Sequence, residues 1–151
     1  MNDQLLEIKT KLQIQKPVAA VFDAIVDPAK MTNYFIAKST GRMEEGRELI
    51  WKFPEFDLDV PVRVGKIEKD KYISFYWSSD NQELLVEMLL IDAENDSTVV
   101  TVTEKSREND EAGRNWLKGN TEGWANFLAC LKAYLEYGIN LRKGAFDFMK
   151  Q

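Results

Sequence analysis

Few side chains in this sequence could do chemistry, because its 151 residues include no histidine. Histidine has the ordinary pKa nearest to neutrality and is the commonest metal ligand in proteins. Its absence excludes every triad or dyad mechanism in which histidine is the base. The single cysteine, Cys130, lies among apolar residues, which predicts a buried, unreactive thiol and excludes an intrachain disulfide. We expect no metal ion and no other cofactor.

Carboxylates are the remaining groups for acid–base chemistry, and two of them interrupt apolar strand patterns. These two are Glu87 and Glu104. If both faced an interior cavity, burial would raise their pKa values and suit them to proton transfer. Glu87, however, alternates with Val86 and Met88, and Glu104 alternates with Thr103. This alternation favours the solvent face for both carboxylates.

Large apolar side chains form the other candidate site. The sequence contains four tryptophans and eight phenylalanines, and several of them recur on one face of the predicted strands and helix. Such side chains line most small-molecule pockets, and they also fill ordinary hydrophobic cores. The candidate ligand-binding residues are Trp51, Phe53, Phe75, Trp77, Met88, Trp124 and Phe127. Trp116 precedes the predicted helix and could be a lid or a surface anchor.

Strands are predicted for most of the first two thirds of the chain. Apolar and polar residues alternate from Leu6 to Ile14, which indicates a first strand with one wet face. Two short helices are predicted next, opened by Pro17 and Pro28. Between residues 37 and 107, five segments alternate again and are separated by turn residues, which predicts antiparallel strands. Pro61 lies inside one segment and predicts an edge strand or a bulge there.

The strongest helical pattern lies near the C-terminus. Its apolar residues recur at helical spacing and are Trp124, Phe127, Leu128, Leu131, Tyr134 and Leu135. Asn120 or Thr121 is the predicted start of this helix, and Gly138 marks its end. The acidic residues from Glu108 to Glu111 are predicted to form a solvated loop. The apolar residues after Ile139 predict a tail that folds back on the body.

The order of these elements predicts an α+β fold. A curved antiparallel β-sheet would wrap around the long C-terminal α-helix, with two short helices after the first strand. Length and composition agree with one domain over residues 1–151, since 44% of the residues are hydrophobic and 30% are charged.

The net charge and the distribution of apolar residues exclude some classes of partner and some cellular locations. The net charge is -5, which gives no attraction to nucleic acid. No apolar run is long enough to span a membrane, and charges interrupt the N-terminal segment as they would not in a secretion signal. We expect a cytoplasmic protein without a membrane span.

Several segments resemble one known superfamily in the same order along the chain. They are residues 17–25, Asp27-Pro28, Tyr34-Phe35, the strand segments 49–53, 62–67, 73–77 and 97–104, and Gly123-Trp124. This pattern is similar to that of the SRPBCC (START-like, helix-grip) superfamily, and specifically to the activator of heat-shock-protein-90 ATPase homologue-like family. The resemblance implies a helix-grip fold with a space between the sheet and the long helix. Members of the superfamily bind lipids, sterols, polyketides or protein partners.

Three functions therefore stay open. The favoured one is a non-enzymatic domain that binds an apolar or aromatic, lipid-like small molecule between the sheet and the C-terminal helix. The second is a protein-interaction module, which docks on a chaperone or forms a homodimer. The third is a cofactor-free enzyme of the cyclase or hydratase type that uses pocket carboxylates, as some START-like domains do. Polar groups converging inside a pocket would favour the third function, and a large exposed apolar patch would favour the second.

Overall fold

The computed structural model describes residues 4–150. Two short helices follow the first strand, and one long helix follows the last strand. A 3₁₀ turn (Asp147–Met149) lies in the C-terminal tail. In chain order the elements of the described residues are β1 (Leu5–Ile14), α1 (Val18–Val26), α2 (Pro28–Met31), β2 (Lys38–Ser39), β3 (Glu48–Lys52), β4 (Val60–Glu68), β5 (Tyr72–Ser79), β6 (Gln82–Ala93), β7 (Ser97–Glu108) and α3 (Glu111–Tyr137).

All the strands form one antiparallel sheet in the order β1-β7-β6-β5-β4-β3-β2. Each strand from β2 to β7 pairs with the next along the chain, and β1 then pairs with β7. The curved sheet grips α3, which packs on β1 and β7, while α1 packs against α3 and the neighbouring strands. The predicted α+β helix-grip architecture is confirmed. The two-residue strand β2 had no distinct sequence signal.

The core lies between the inner face of the sheet and the helices. The predicted apolar face of α3 is confirmed, because Trp124, Phe127, Leu128 and Leu131 are each at most 3% exposed. The predicted burial of Cys130 is also confirmed, with 4% of the residue exposed. Burial raises the pKa of the Cys130 thiol, and the positive charge of Arg142 opposes that shift. A thiol with a raised pKa is a poor nucleophile at neutral pH.

The start of α3 corrects the sequence prediction. The helix begins at Glu111, and its cap is Asp110, whose side chain accepts a hydrogen bond of 2.7 Å from the Gly113 amide. A Cβ atom at Gly113 would lie 1.9 Å from the Glu108 carbonyl oxygen, so this close approach requires glycine. The predicted solvated loop is therefore helical from Glu111 onward. Trp116 is 5% exposed and belongs to the core, so it is neither a lid nor a surface anchor.

Pro61 lies inside the sheet, which corrects the predicted edge strand. It sits opposite Ile50 in β3, and β4 has β5 on its other side. The pairing of β4 with β5 begins only at Arg63, so the missing amide hydrogen of Pro61 breaks no bond of that ladder. The irregularity in β4 lies between Val64 and Ile67 instead.

Candidate functional site

Glu104 lies in the core, so the prediction that it faces solvent is wrong. The residue is 0% exposed. On β7 it shares a face with Val100 and Val102, and its cross-strand neighbours are Ile8 and Val86. Alternation with its adjacent residues gave no information about which face was buried. The apolar residues two and four positions earlier mark the inner face.

Three neutral donors hold the Glu104 carboxylate. The indole Nε1 of Trp77 donates to Oε2 at 2.8 Å, and the indole Nε1 of Trp124 donates to Oε1 at 2.8 Å. The amide Nδ2 of Asn120 donates to Oε1 at 3.1 Å. No lysine or arginine within residues 4–150 forms an ion pair with Glu104. Glu104 therefore fixes one side chain of β5 and two of α3 in a common orientation.

Glu87 lies on the opposite face of the sheet, as predicted. The hydroxyl of Tyr72 donates to its Oε2, and Lys105 lies 3.1 Å from its Oε1. The hydrogen bond from Tyr72 lowers the pKa of Glu87; partial burial opposes this shift, and Lys105 adds to it. Because Glu87 and Glu104 are on opposite faces, the structure does not bring them together as an acid–base pair.

The Tyr72 hydroxyl predicts a change in stability at high pH. Burial and the hydrogen bond to Glu87 raise the pKa of Tyr72 to about 12, above the unfolded value of about 10. The folded state therefore holds this proton more tightly. Its contribution is complete below about pH 10 and is lost as the pH rises towards about 12. In urea unfolding, Tyr72→Phe should lose less stability than the wild type between about pH 10 and about pH 12.

The control for this experiment is Tyr137→Phe, at a residue that is 68% exposed. This variant should follow the wild type across the same pH range. An equal alkaline loss for Tyr72→Phe and the wild type would contradict the prediction.

Six of the seven predicted ligand-binding residues are aromatic and meet in one cluster, and the seventh, Met88, lies in the same core. Phe75 lies between Trp51 and Trp77, with ring centroids 5.2 and 5.3 Å away. Trp124 lies 5.5 Å from Trp77 and 5.2 Å from Phe127. Most of the set is fully buried, and only Phe53 and Trp77 are partly exposed. The buried members are Trp51, Phe75, Met88, Trp124 and Phe127.

An open hollow of about 160 Å³ lies at the exposed end of this cluster, between the sheet and α3. We call it the aromatic pocket. Three of the predicted residues, Phe53, Trp77 and Trp124, line it. The other lining residues are not among the predicted ones, and they are Phe35, Asn120, Gly123 and Arg142. Asn120 lies one helical turn before Trp124, so a correct start for α3 would have pointed to it.

Arg142 from the C-terminal tail closes one side of the aromatic pocket. Its Nη2 lies 2.6 Å from Glu55 Oε1, and the Glu55 side chain is 3% exposed. The guanidinium carbon lies 5.6 Å from the Phe53 ring centroid and 4.8 Å from that of Phe146. The buried Nε of Arg142 has no hydrogen-bond partner among the described residues. The tail therefore contacts the body as predicted, but it does so through Arg142. The apolar residues Leu141 and Phe148 are exposed.

A second hollow of about 570 Å³ lies on the other side of Arg142, and we call it the tail hollow. It lies between residues 32–36, which follow α2, the loop at Pro54 and Glu55, and residues 140–150 of the tail. Phe35 and Arg142 line both hollows. Arg142 therefore forms part of the wall between them.

Residues 4–150 offer neither a metal site nor a membrane-spanning helix. No cluster of three cysteine, aspartate or glutamate side chains in this part of the chain is placed to hold a metal ion. None of the helices formed by these residues combines the length and hydropathy that a membrane span requires.

Comparison with known proteins gives the family. Residues 15–136 match the family described as "Activator of Hsp90 ATPase homolog 1-like protein". The chain belongs to this family. The family predicted from the order of sequence segments is thus confirmed. The match to the Activator of Hsp90 ATPase homolog 1-like family covers every strand except β1, and it covers α3 up to its last residue but one. No curated protein matches the sequence.

Solved structures share the fold. Protein SSP2350 from Staphylococcus saprophyticus is 31% identical, with a TM-score of 0.79 over 91% of this chain and 96% of that chain. The Aha1 dimer from Colwellia psychrerythraea is 18% identical, with a TM-score of 0.76 over 88% of this chain and 98% of that chain. DynU16, from the dynemicin biosynthetic locus, is 22% identical, with a TM-score of 0.78 over 89% of this chain and 48% of that chain. The last two likenesses concern the fold alone.

Proposed function

We propose that this domain binds an apolar or aromatic small molecule in the aromatic pocket and does not transform it chemically. The observation that carries this proposal is the arrangement of Trp77 and Trp124. Glu104 holds both indoles from the core side, and both side chains line an open hollow on their other side. Preorganised aromatic walls bind a ligand with little loss of side-chain freedom.

The dimensions of the aromatic pocket support a small ligand. Its volume of about 160 Å³ is below the roughly 300–1,000 Å³ of pockets for drug-sized molecules. We therefore assign direct contact to Phe53, Trp77 and Trp124. The remaining predicted residues would support these walls from behind, and they are Trp51, Phe75, Met88 and Phe127. A longer, lipid-like ligand would also need the tail hollow.

The placement of the carboxylates supports binding over catalysis. Both oxygens of Glu104 already accept hydrogen bonds from neutral side chains, and Glu87 lies on the other face of the sheet. Neither group points a free proton donor or acceptor into the aromatic pocket. A cytoplasmic location is part of this proposal, and the lone, buried Cys130 agrees with a reducing compartment.

Gly123→Leu should weaken ligand binding without harming the fold. Gly123 lines the aromatic pocket, and a Cβ atom there meets nothing within 4 Å, so a leucine side chain would fill the pocket. Tryptophan fluorescence and melting temperature would be followed while sterols, fatty acids and planar aromatic compounds are titrated. A ligand selective for the folded state raises the melting temperature of the wild type. We expect Gly123→Leu to lower the affinity for that ligand by about tenfold or more.

Gly119→Leu is the matched control, because Gly119 lies one turn earlier on α3 and outside the aromatic pocket. A Cβ atom at Gly119 also meets nothing within 4 Å. Both variants gain about 1 kcal/mol of helix propensity, so they differ only in filling the pocket. Equal affinities for the two variants would place the ligand elsewhere and refute the proposal.

A protein partner or a second copy of the chain is the second candidate function. The observation that favours this function is a group of exposed apolar side chains around a further hollow, which lies beside the tail hollow. These side chains are Phe56, Leu58 and Met149. The related Aha1 from Colwellia psychrerythraea was solved as a dimer. If no compound shifts the melting temperature and the protein sediments as a concentration-dependent dimer, this second function replaces the first.

A further inference from the structure

The charge around the aromatic pocket is not balanced. Glu104 lies directly behind the indoles of Trp77 and Trp124, and its hydrogen-bond partners are all neutral. Arg142 and Glu55 form an ion pair at the pocket, and this pair has no net charge. Glu104 is 0% exposed, so little water lies between its carboxylate and the rings of Trp77 and Trp124, and its charge acts on these two walls of the pocket with little screening. Such a field favours a positive guest over a neutral or negative one.

The hydrogen bonds of Glu104 also change the two indoles. When an indole N–H donates to a carboxylate, the negative acceptor pushes electron density from the N–H bond into the indole ring. This effect is larger for a charged acceptor than for a neutral one. This polarisation makes the ring faces of Trp77 and Trp124 more negative. The faces of tryptophan rings already attract cations more strongly than those of phenylalanine or tyrosine. Both effects act in the same direction.

Arg142 shows that the mouth of the pocket can hold a planar cation. Its guanidinium group lies over the Phe53 ring and pairs with the buried Glu55 carboxylate. The arginine is incompletely satisfied there, since its buried Nε has no partner among residues 4–150. It belongs to a tail whose neighbouring residues, Leu141 and Lys143, are exposed. A ligand with the same planar charged group could take this place, because it would form the same pair with Glu55.

We propose that the aromatic pocket selects a planar organic cation, such as an amidinium or guanidinium compound, whose charged group takes the place of Arg142 beside Glu55 and Phe53. This inference rests on the proposed function and adds the charge of the ligand to it. On binding, Arg142 leaves the wall shared by the aromatic pocket and the tail hollow, and the two hollows become continuous.

The first test compares three planar molecules of the same size and shape but different charge. Benzamidinium is positive, benzamide is neutral and benzoate is negative at neutral pH. Each is titrated into the wild-type protein while tryptophan fluorescence and melting temperature are followed. We expect benzamidinium to bind about tenfold more tightly than benzamide, which corresponds to about 1.4 kcal/mol. Benzoate should bind more weakly than benzamide.

The second test is a chemical rescue of Arg142→Ala. This variant leaves the Glu55 carboxylate buried without its cation, so its melting temperature should fall. Benzamidinium should restore more of the melting temperature than benzamide does. Arg63→Ala is the matched control, because Arg63 also pairs with a glutamate, Glu83, at 2.9 Å and lies over the ring of Tyr76. That pair is solvent-exposed, so benzamidinium should give no rescue there.

The outcomes separate this inference from the proposed function. Equal binding of benzamidinium and benzamide would overturn the charge selection and leave an aromatic-binding pocket. Tightest binding by benzoate would also overturn it, because Arg142 would then hold the ligand instead of leaving. If none of the three binds while a sterol, a fatty acid or another aromatic compound does, only the inference fails. If no compound of either series binds, the proposed function fails with it.

Discussion

Replacing Glu104 with alanine is expected to lower the free energy of unfolding by about 3–5 kcal/mol. The variant leaves the indole N–H groups of Trp77 and Trp124 and the amide of Asn120 without their acceptor. Each unsatisfied buried donor costs about 1–3 kcal/mol, and water that enters the vacated space recovers part of that cost. Denaturant unfolding followed by far-ultraviolet circular dichroism measures the loss.

Two further variants sharpen this experiment. Glu87→Ala removes a glutamate from the neighbouring strand on the solvent face, where its partners Tyr72 and Lys105 can bond to water. Its cost should stay below about 1 kcal/mol. Glu104→Gln keeps the shape but turns an amide NH₂ towards at least one donor, so its cost should lie between the other two. Similar losses for Glu104→Ala and Glu87→Ala would refute the buried role of Glu104.

Leu131→Ala is expected to cost about 2–5 kcal/mol of stability. Leu131 is 0% exposed on the face of α3 that packs against the sheet. The substitution removes buried apolar surface and leaves a cavity that the rigid sheet fills only in part. Equilibrium unfolding in urea gives the difference directly.

Leu141→Ala makes the same chemical change in the tail, where Leu141 is 50% exposed. Its effect should stay within about 0.5 kcal/mol. A loss below about 0.5 kcal/mol for Leu131→Ala would mean that this face of α3 is not packed against the sheet, which would contradict the helix-grip arrangement.

The elements of this fold were predictable because their signals are local. The alternation in β1 and β3–β7 and the helical spacing from Trp124 to Leu135 each depend on residues a few positions apart. The first turns of α3 were missed because their signals were weak. They consist of the cap Asp110, the close approach at Gly113 and the isolated Trp116, with charged residues between them.

The candidate site was less predictable because its contacts join distant segments. The inner-face position of Glu104 was present in its spacing from Val100 and Val102. Its bonds to Trp77 and Trp124, however, depend on strand register and on the placement of α3. The pairing of Arg142 with Glu55 joins residues 87 positions apart, and no local pattern marks either partner.

The pairing of β1 with β7 also shapes how the chain reaches its folded state. The strands from β2 to β7 form consecutive antiparallel pairs, which close over short stretches of chain. The partners Ile14 and Thr98, by contrast, are separated by most of the sequence, and Leu5 pairs with Glu108. Closing so long a loop costs entropy before any contact compensates for it, and folding slows as such contacts increase. We therefore expect the consecutive hairpins to assemble early and β1 to dock late, together with the α3 face that rests on it.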